Sequence, residues 1–246
     1  MTSPLVFDPN FDFHSDARGG DPDKTSPTLR KYHQLLWRKP LPDGSFFDLN
    51  IDAPGKYLYH HSSLGAFSLG SDAIFHSYQN QKSKRHILEN ITEHVADLLK
   101  SCSNIGSYII FPNNRIGGQP TINQARGLNK YIDDHFDLTL ECIRRFYNNE
   151  ESPLNDTLSR YDDFFKLFGK FDSYVSFFLL QDLVDENTGS IKFYLPFNNF
   201  TSHAGFSCEA DYLQYKQNLI AFNAGRKNRM VDYVKYLMSE NMLRTN

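Results

Sequence analysis

The sequence predicts an α+β fold in which short antiparallel strands come early and helices dominate the C-terminal half. Two patterns carry this expectation. Residues 46–78 hold the aromatic-rich runs FFDLNI, KYLYHHS and AFSLGSDAIF, separated by Pro, Gly and Ser, as short strands and turns are. From residue 84 onward, apolar residues recur at three- and four-residue intervals in one segment after another, the period of amphipathic helices. The regular strand–helix alternation of a doubly wound sheet is missing.

The elements follow in order. Residues 1–25 are polar and rich in Asp, Gly and Pro, which makes them a loop-rich N-terminal arm. Ser26-Pro27 supplies an N-cap and then proline at the first helical position, and Leu29, Tyr32, Leu36 and Trp37 follow at helical spacing. KPLPDGS ends that helix in a turn. Over 84–101, Ile87, Leu88, Ile91, Val95, Leu98 and Leu99 line one helical face. IGSYIIFP reads as a buried strand at 105–111, closed by Pro112. Helices are expected near 133–147 and 153–168, where Phe136, Leu140 and Ile143, then Leu154, Leu158, Tyr161 and Phe165, fall in line. The segment 173–184 is apolar nearly all round and belongs to the interior. SIKFYLPF is expected to be a late strand, and 208–240 a long helical segment in which Gly225 could make a break.

At 246 residues the chain fits a single compact domain able to bury a substantial core. With 15% aromatic residues and 22% charged ones, it is globular in composition. A net charge of −3 gives no overall pull toward nucleic acid. Cys102, Cys142 and Cys208 are odd in number and form no CxxC pair, against a disulfide framework or a cysteine-rich zinc site. No basic-then-apolar leader opens the sequence, and no apolar stretch approaches the roughly 20 residues of a membrane helix. The expectation is a cytoplasmic protein with no membrane partner.

Six groups of residues could carry chemistry. The loop HSDARGGDPD brings Asp16, Asp21 and Asp23 together as hard oxygen donors, the basis of a metal-dependent hydrolase, although its spacing matches no calcium loop. His33, beside the apolar stripe of its helix, reads as a structural histidine. In YLYHHSS, alternation puts Tyr57, Tyr59 and His61 on one face and Leu58 and His60 on the other; with Ser68 on the next strand, they could wall a nucleotide cleft. Between 113 and 127, Arg115 and Arg126 flank glycines whose backbone could cradle phosphate, and Asn123 reads as a helix cap or an anion contact. In DLTLECIRR, Glu141 pairs with Arg145 at i,i+4, or serves as an acid if its face borders that loop. Finally, Arg226, Lys227, Arg229 and Lys235, with Tyr233 and Tyr236 between, make a basic stretch that could meet a nucleic-acid or protein partner.

The strings SPTLRKYHQLLWRKPLPDG (26–44), TINQARG (121–127), DLTLECIRRFY (137–147) and YVSFFLLQDLV (174–184) resemble an uncharacterised bacterial family to which no function is attached. Where that family has Asp-Arg-Phe-Asp before the LTLECIRR run, this chain has Asp134-His135-Phe136-Asp137, with His135 in the arginine position. YLYHHSS followed by FSLGS is more remotely similar to the first two strands of ADP-ribosyltransferases. That likeness implies an NAD-dependent, toxin-like transferase. Arg126 and Arg115 would hold the pyrophosphate, Asn123 would be a further cofactor contact, and Tyr57 or Tyr59 would stack on nicotinamide. His61 and Ser68 would orient the ribose and the amide, and Glu141 would act as the acid. A non-enzymatic interaction module built on the basic C-terminal helix is the alternative.

Overall fold

The computed structural model describes residues 7–52 and 58–240. A short turn of helix, α1 (Pro22–Thr25), leads into α2 (Pro27–Trp37), whose N-cap is Ser26, with Pro27 at the first position. Two residue pairs, β1 (Lys39–Pro40) and β2 (Phe46–Phe47), close a small hairpin. The main sheet is antiparallel, in the order β3 (Leu58–Ser62), β4 (Gly65–Ala73), β5 (Tyr108–Pro112). Leu58 pairs with Leu69, and Ala73 with Tyr108. Leu58 and His60 are buried while His61 faces out, so the expected alternation holds; Tyr57 lies outside the described residues.

The helices are α3 (Arg85–Leu88), α4 (Thr92–Cys102), α5 (Ile122–Leu128), α6 (Phe136–Tyr147), α7 (Asn155–Ser159), α8 (Asp162–Lys166), α9 (Phe171–Phe177) and α10 (Glu209–Ser239). Together with the two sheets they make a compact α+β architecture, strands early and helices late. One contiguous apolar core runs from Phe13 to Val234, and Trp37, Phe47, Phe168, Tyr174, Phe177 and Phe178 pack ring against ring at its centre.

Four expectations change. The helix expected over 84–101 is two helices, because Ile91 leaves helical geometry (φ −130°, ψ 35°) and the apolar stripe continues across the break. The 153–168 helix is likewise split into α7 and α8. SIKFYLPF forms no strand; it holds one isolated bridge, Ile191 to Val184, before the chain turns irregular. Conversely, α10 runs unbroken through Gly225. Gly225 is there for proximity: a Cβ would sit 2.7 Å from Cγ of Asp182, the carboxylate that holds Arg229 at 2.7 Å.

The basic stretch of α10 is divided between interior and surface, with Arg226 inside, Lys227 and Arg229 half-buried and Lys235 exposed. Arg226 is wholly buried, its guanidinium bonded to the carbonyls of Phe178 (3.1 Å), Gly106 (2.8 Å) and Tyr108 (2.9 Å) and lying over Trp37. Burial, with no carboxylate bonded to it, pulls its pKa down to about 9. Arg229 pairs with Asp182, Lys227 bonds Asn10, and Lys235 meets Asp232. Arg226→Met should therefore act on folding. Three buried carbonyls lose their donor, and stability should fall by about 1–3 kcal/mol in urea denaturation. A loss below the scatter of the melts would remove Arg226 from the core ties.

Candidate acid–base site

Immediately before α6 the backbone takes an unusual course. Asp133 and Asp134 both have left-handed backbones (φ 45° and 64°), conformations that cost a non-glycine residue of order 1 kcal/mol or more and persist only where neighbours impose them. Those neighbours are identifiable. Arg126, in the last turn of α5 and fully buried, donates to the Asp134 carbonyl at 2.8 Å, and its Nε sits 3.2 Å from the Asp134 carboxylate. Its other arm reaches the carbonyl of Ala73 (3.1 Å) and Asp72 (3.4 Å) on β4. Tyr78 donates to the Asp133 carbonyl at 2.7 Å. Gly205 lies so close that a Cβ there would meet the Asp133 carboxylate at 2.5 Å.

This turn delivers His135 and Asp137 to the N-terminus of α6. Both are buried, 2% and 1% exposed, and both border a cleft of about 50 Å³ whose far wall is Leu195–Asn198 and His203–Gly205. Among the described residues, Oδ2 of Asp137 accepts the Tyr194 N–H at 2.7 Å, while its Oδ1 meets no donor in hydrogen-bond geometry. The N–H groups of Leu138 and of Asp137 itself lie close enough to favour the charged carboxylate. Nε2 of His135 and the hydroxyl of Tyr194 are also without partners. His135 Nδ1 stands 3.8 Å from Asp137 Oδ1, too far for a hydrogen bond, so neither group satisfies the other. Buried polar atoms left open are few in folded proteins, and two of them here belong to residues that line one cleft.

Protonation favours proton transfer. Burial pushes the Asp137 carboxyl up to about 7, against the pull of the Tyr194 N–H. Burial, aided by the positive charges of His76, Lys84 and Arg126, drives His135 down to about 3. At neutral pH a neutral imidazole thus stands beside a carboxyl near its midpoint. A carboxyl poised there can give a proton to a ligand oxygen or take one back with little bias. Around the pair, Tyr215 and Tyr78 pack their rings against His135 at 4.8 and 6.0 Å and exclude water.

The residues singled out in sequence fall elsewhere. Arg126 is a support of the site: it is fully buried, with both terminal nitrogens bonded to the protein and its Nε beside the Asp134 carboxylate. Glu141 is also buried, held by Arg144 at 2.8 and 3.0 Å and by Arg145 at 2.8 Å. Asn123 is exposed; Thr121 caps α5 in its stead, in a capping box with Gln124. Arg115 is exposed in the turn after β5. Tyr59 and Ser68 are directly opposed on β3 and β4, and His61 lies two residues further along the same face. Asp16 accepts from Ser26 and from the N–H of Thr28, Asp21 caps α1, and Asp23 accepts from Ser71, so the three carboxylates serve separate structural bonds.

One further arrangement looks like a nucleophile relay and is not one. His33 Nε2 lies 2.8 Å from Ser71 Oγ, which bonds Asp23. The Trp37 indole donates to His33 Nδ1 at 2.9 Å. An indole only donates, so Nδ1 is the acceptor and Nε2 carries the proton. His33 therefore donates to Ser71 and cannot take its proton. The chain fastens α1 and α2 to β4.

In the sequence His135 and Asp137 stand out at the DLTLECIRR run but carry no site role there, because polar residues at the start of an amphipathic helix are ordinary. Among the described residues no helix is long and apolar enough to cross a membrane, and no group of three or more His, Cys, Asp or Glu could hold a metal ion. Neither a curated protein nor a solved structure matches the chain. A family model does match, over residues 7–230, a span that includes α1 to α6, the cleft and most of α10: the chain belongs to DUF6994, a family of unknown function.

Proposed function

We propose that this chain is an enzyme that performs acid–base chemistry at the His135–Asp137 cleft. Its substrate is a small molecule with a carbonyl or hydroxyl at one end. One observation carries the reading: among the described residues, buried His135 Nε2 and Asp137 Oδ1 have no hydrogen-bond partner, and both residues line the same cleft. Asp137 is the proton donor and acceptor, and neutral His135 is the hydrogen-bonding partner or base. The size of the cleft admits only the polar tip of the substrate; Leu195 and Phe197 at its edge suit an apolar or planar body.

A second reading, NAD-dependent ADP-ribosyl transfer, draws support from the common face of Tyr59, His61 and Ser68, with Arg115 exposed two residues beyond Asn113, whose N–H donates to the Ser68 carbonyl. It ranks second because Arg126 and Glu141 are engaged inside the protein.

Thermal melts separate the two. Wild type, Asp137→Asn and His61→Ala would be screened with NAD, ADP-ribose, ATP and a panel of small amides, hydroxy acids and carbonyl compounds. A ligand at a hundred times its dissociation constant adds about 2.7 kcal/mol. A stabilisation lost in Asp137→Asn and kept in His61→Ala supports the cleft. The reverse pattern moves function to the sheet face. A panel that stabilises all three proteins equally, or none, sinks the cleft reading.

A further inference from the structure

We propose that residues 195–205 are a gate over this cleft and that Arg145 is its latch, a proposal that rests on the cleft as the working site. With His135 and Asp137 no more than 2% exposed, nothing reaches their open atoms unless a wall moves. The 195–205 loop supplies the far wall with both of its legs.

The bonding of that loop is concentrated at three points. At its start, the Tyr194 N–H is held by Asp137 and the Tyr194 carbonyl by Asn218 (2.8 Å). At its end, the Ala204 N–H bonds the Lys130 carbonyl at 2.9 Å. At its tip, Asn199 and Phe200 turn the chain back through left-handed backbones (φ 56° and 59°). There Arg145 donates to the Asn199 side chain and lies over the rings of Phe200 (5.0 Å) and Phe197 (5.8 Å). Among the described residues, the other hydrogen bonds of 195–203 stay inside the tip: Thr201 and Asn198, Asn198 and Ser202. The outward side is polar and exposed, from Asn198 and Asn199 to Thr201, Ser202 and His203.

Helix geometry makes Arg145 the matching end of the device. Asp137, Glu141 and Arg145 are spaced by four, so they share one face of α6 and span about 12 Å along its axis. Five residues from Tyr194 to Asn199 reach at most about 17 Å. The first leg therefore runs along that face, from the carboxylate that holds its root to the guanidinium that holds its tip. Glu141 fixes Arg145 Nε at 2.8 Å and the Glu151 carbonyl fixes a terminal nitrogen at 3.1 Å, which points the rest of the guanidinium at the loop. This gives the Glu141–Arg145 pair a role in access, at the end of α6 opposite His135.

The test uses diethyl pyrocarbonate, which acylates neutral imidazole, with the modified histidines mapped by mass spectrometry. His135 is neutral across the working range and should react slowly in the wild type. Asn199→Ala removes the tip bond without touching the α6 ion pair; Arg145→Ala removes both. Each should speed acylation of His135 by about tenfold or more, as expected for losing a bond to a charged donor. Exposed His61 and His86, both outside the loop, serve as rate references, and buried His33 reports general loosening. Amide exchange should rise over 195–203 and stay unchanged in β4 and α6. An unchanged His135 rate in both variants overturns the gate, as does an equal rise at His33. Because this readout needs no substrate, the gate can stand while the ligand panel fails, and the reverse.

Discussion

Arg126→Met is expected to destabilise the protein by about 3–5 kcal/mol, the usual consequence of removing one member of a buried charged network. For a chain of this size that is a fall of roughly 6–20 °C in melting temperature. The reason lies in what stays behind. Asp72, whose carboxyl burial already raises well above its usual range, loses the cation that opposes that rise. The carbonyls of Ala73 and Asp134 lose their donors, and the left-handed Asp133–Asp134 turn loses its clamp. The effect should reach the site as well, since that turn sets the position of His135. Arg115→Met, an exposed change, should stay within about 0.5 kcal/mol. A double variant, Arg126→Met with Asp72→Leu, should recover part of the loss by removing the stranded carboxyl. Urea melts of the four proteins decide the matter, and a loss under 1 kcal/mol for Arg126→Met would mean the network is not what holds the turn.

Local signals carried far in this sequence. Ser26-Pro27 marked the start of α2, alternation marked β3, and the unbroken apolar run marked β5, because each is written within a few neighbouring residues. Burial of charge was also legible, had spacing been preferred to charge. Arg226 lies four residues from Phe222 and from Met230, on the apolar stripe of α10, and Arg126 lies four from Ile122 on that of α5. An arginine on such a stripe goes inside with its apolar neighbours when backbone carbonyls and carboxylates are there to receive its N–H groups. The late strand failed for a non-local reason. Pro196 has no N–H to give, and the Tyr194 N–H is taken by Asp137 from a helix 57 residues earlier in the chain. The same separation hid the site. His135 and Asp137 come from one segment and their cleft wall from another, and nothing in a single sequence says that the two meet.

The titration of the site should be visible as a tilt in stability against pH. Asp137 and Asp23 are raised by burial to about 7 and about 6. Their protonated forms suit the fold, so their contribution is complete below the ordinary carboxylate range and is lost as pH rises through 6 to 7. His33 and His135 are lowered by burial to about 3, so their contribution is present above pH 6.5 and is lost as pH falls. Asp72 and Asp133 are raised by burial as well, and His60 and His76 lowered. Between pH 4 and 6 the folded state therefore holds protons at carboxyls where the unfolded chain does not, and omits them at histidines where the unfolded chain binds them. Each such group contributes a slope of up to about 1.4 kcal/mol per pH unit, carboxyls and histidines with opposite sign, so the wild-type profile should be shallow. Asp137→Asn removes one proton from the folded side. Its stability should rise with pH relative to wild type, by up to about 4 kcal/mol in total between pH 4 and 7. His135→Gln should tilt the other way, and the double variant should lie parallel to wild type. Urea midpoints at unit steps of pH, with the dependence on denaturant checked at each, give the three profiles directly. If both single variants ran parallel to wild type, His135 and Asp137 would be titrating as they do in water, and the desolvation on which the acid–base reading depends would be absent.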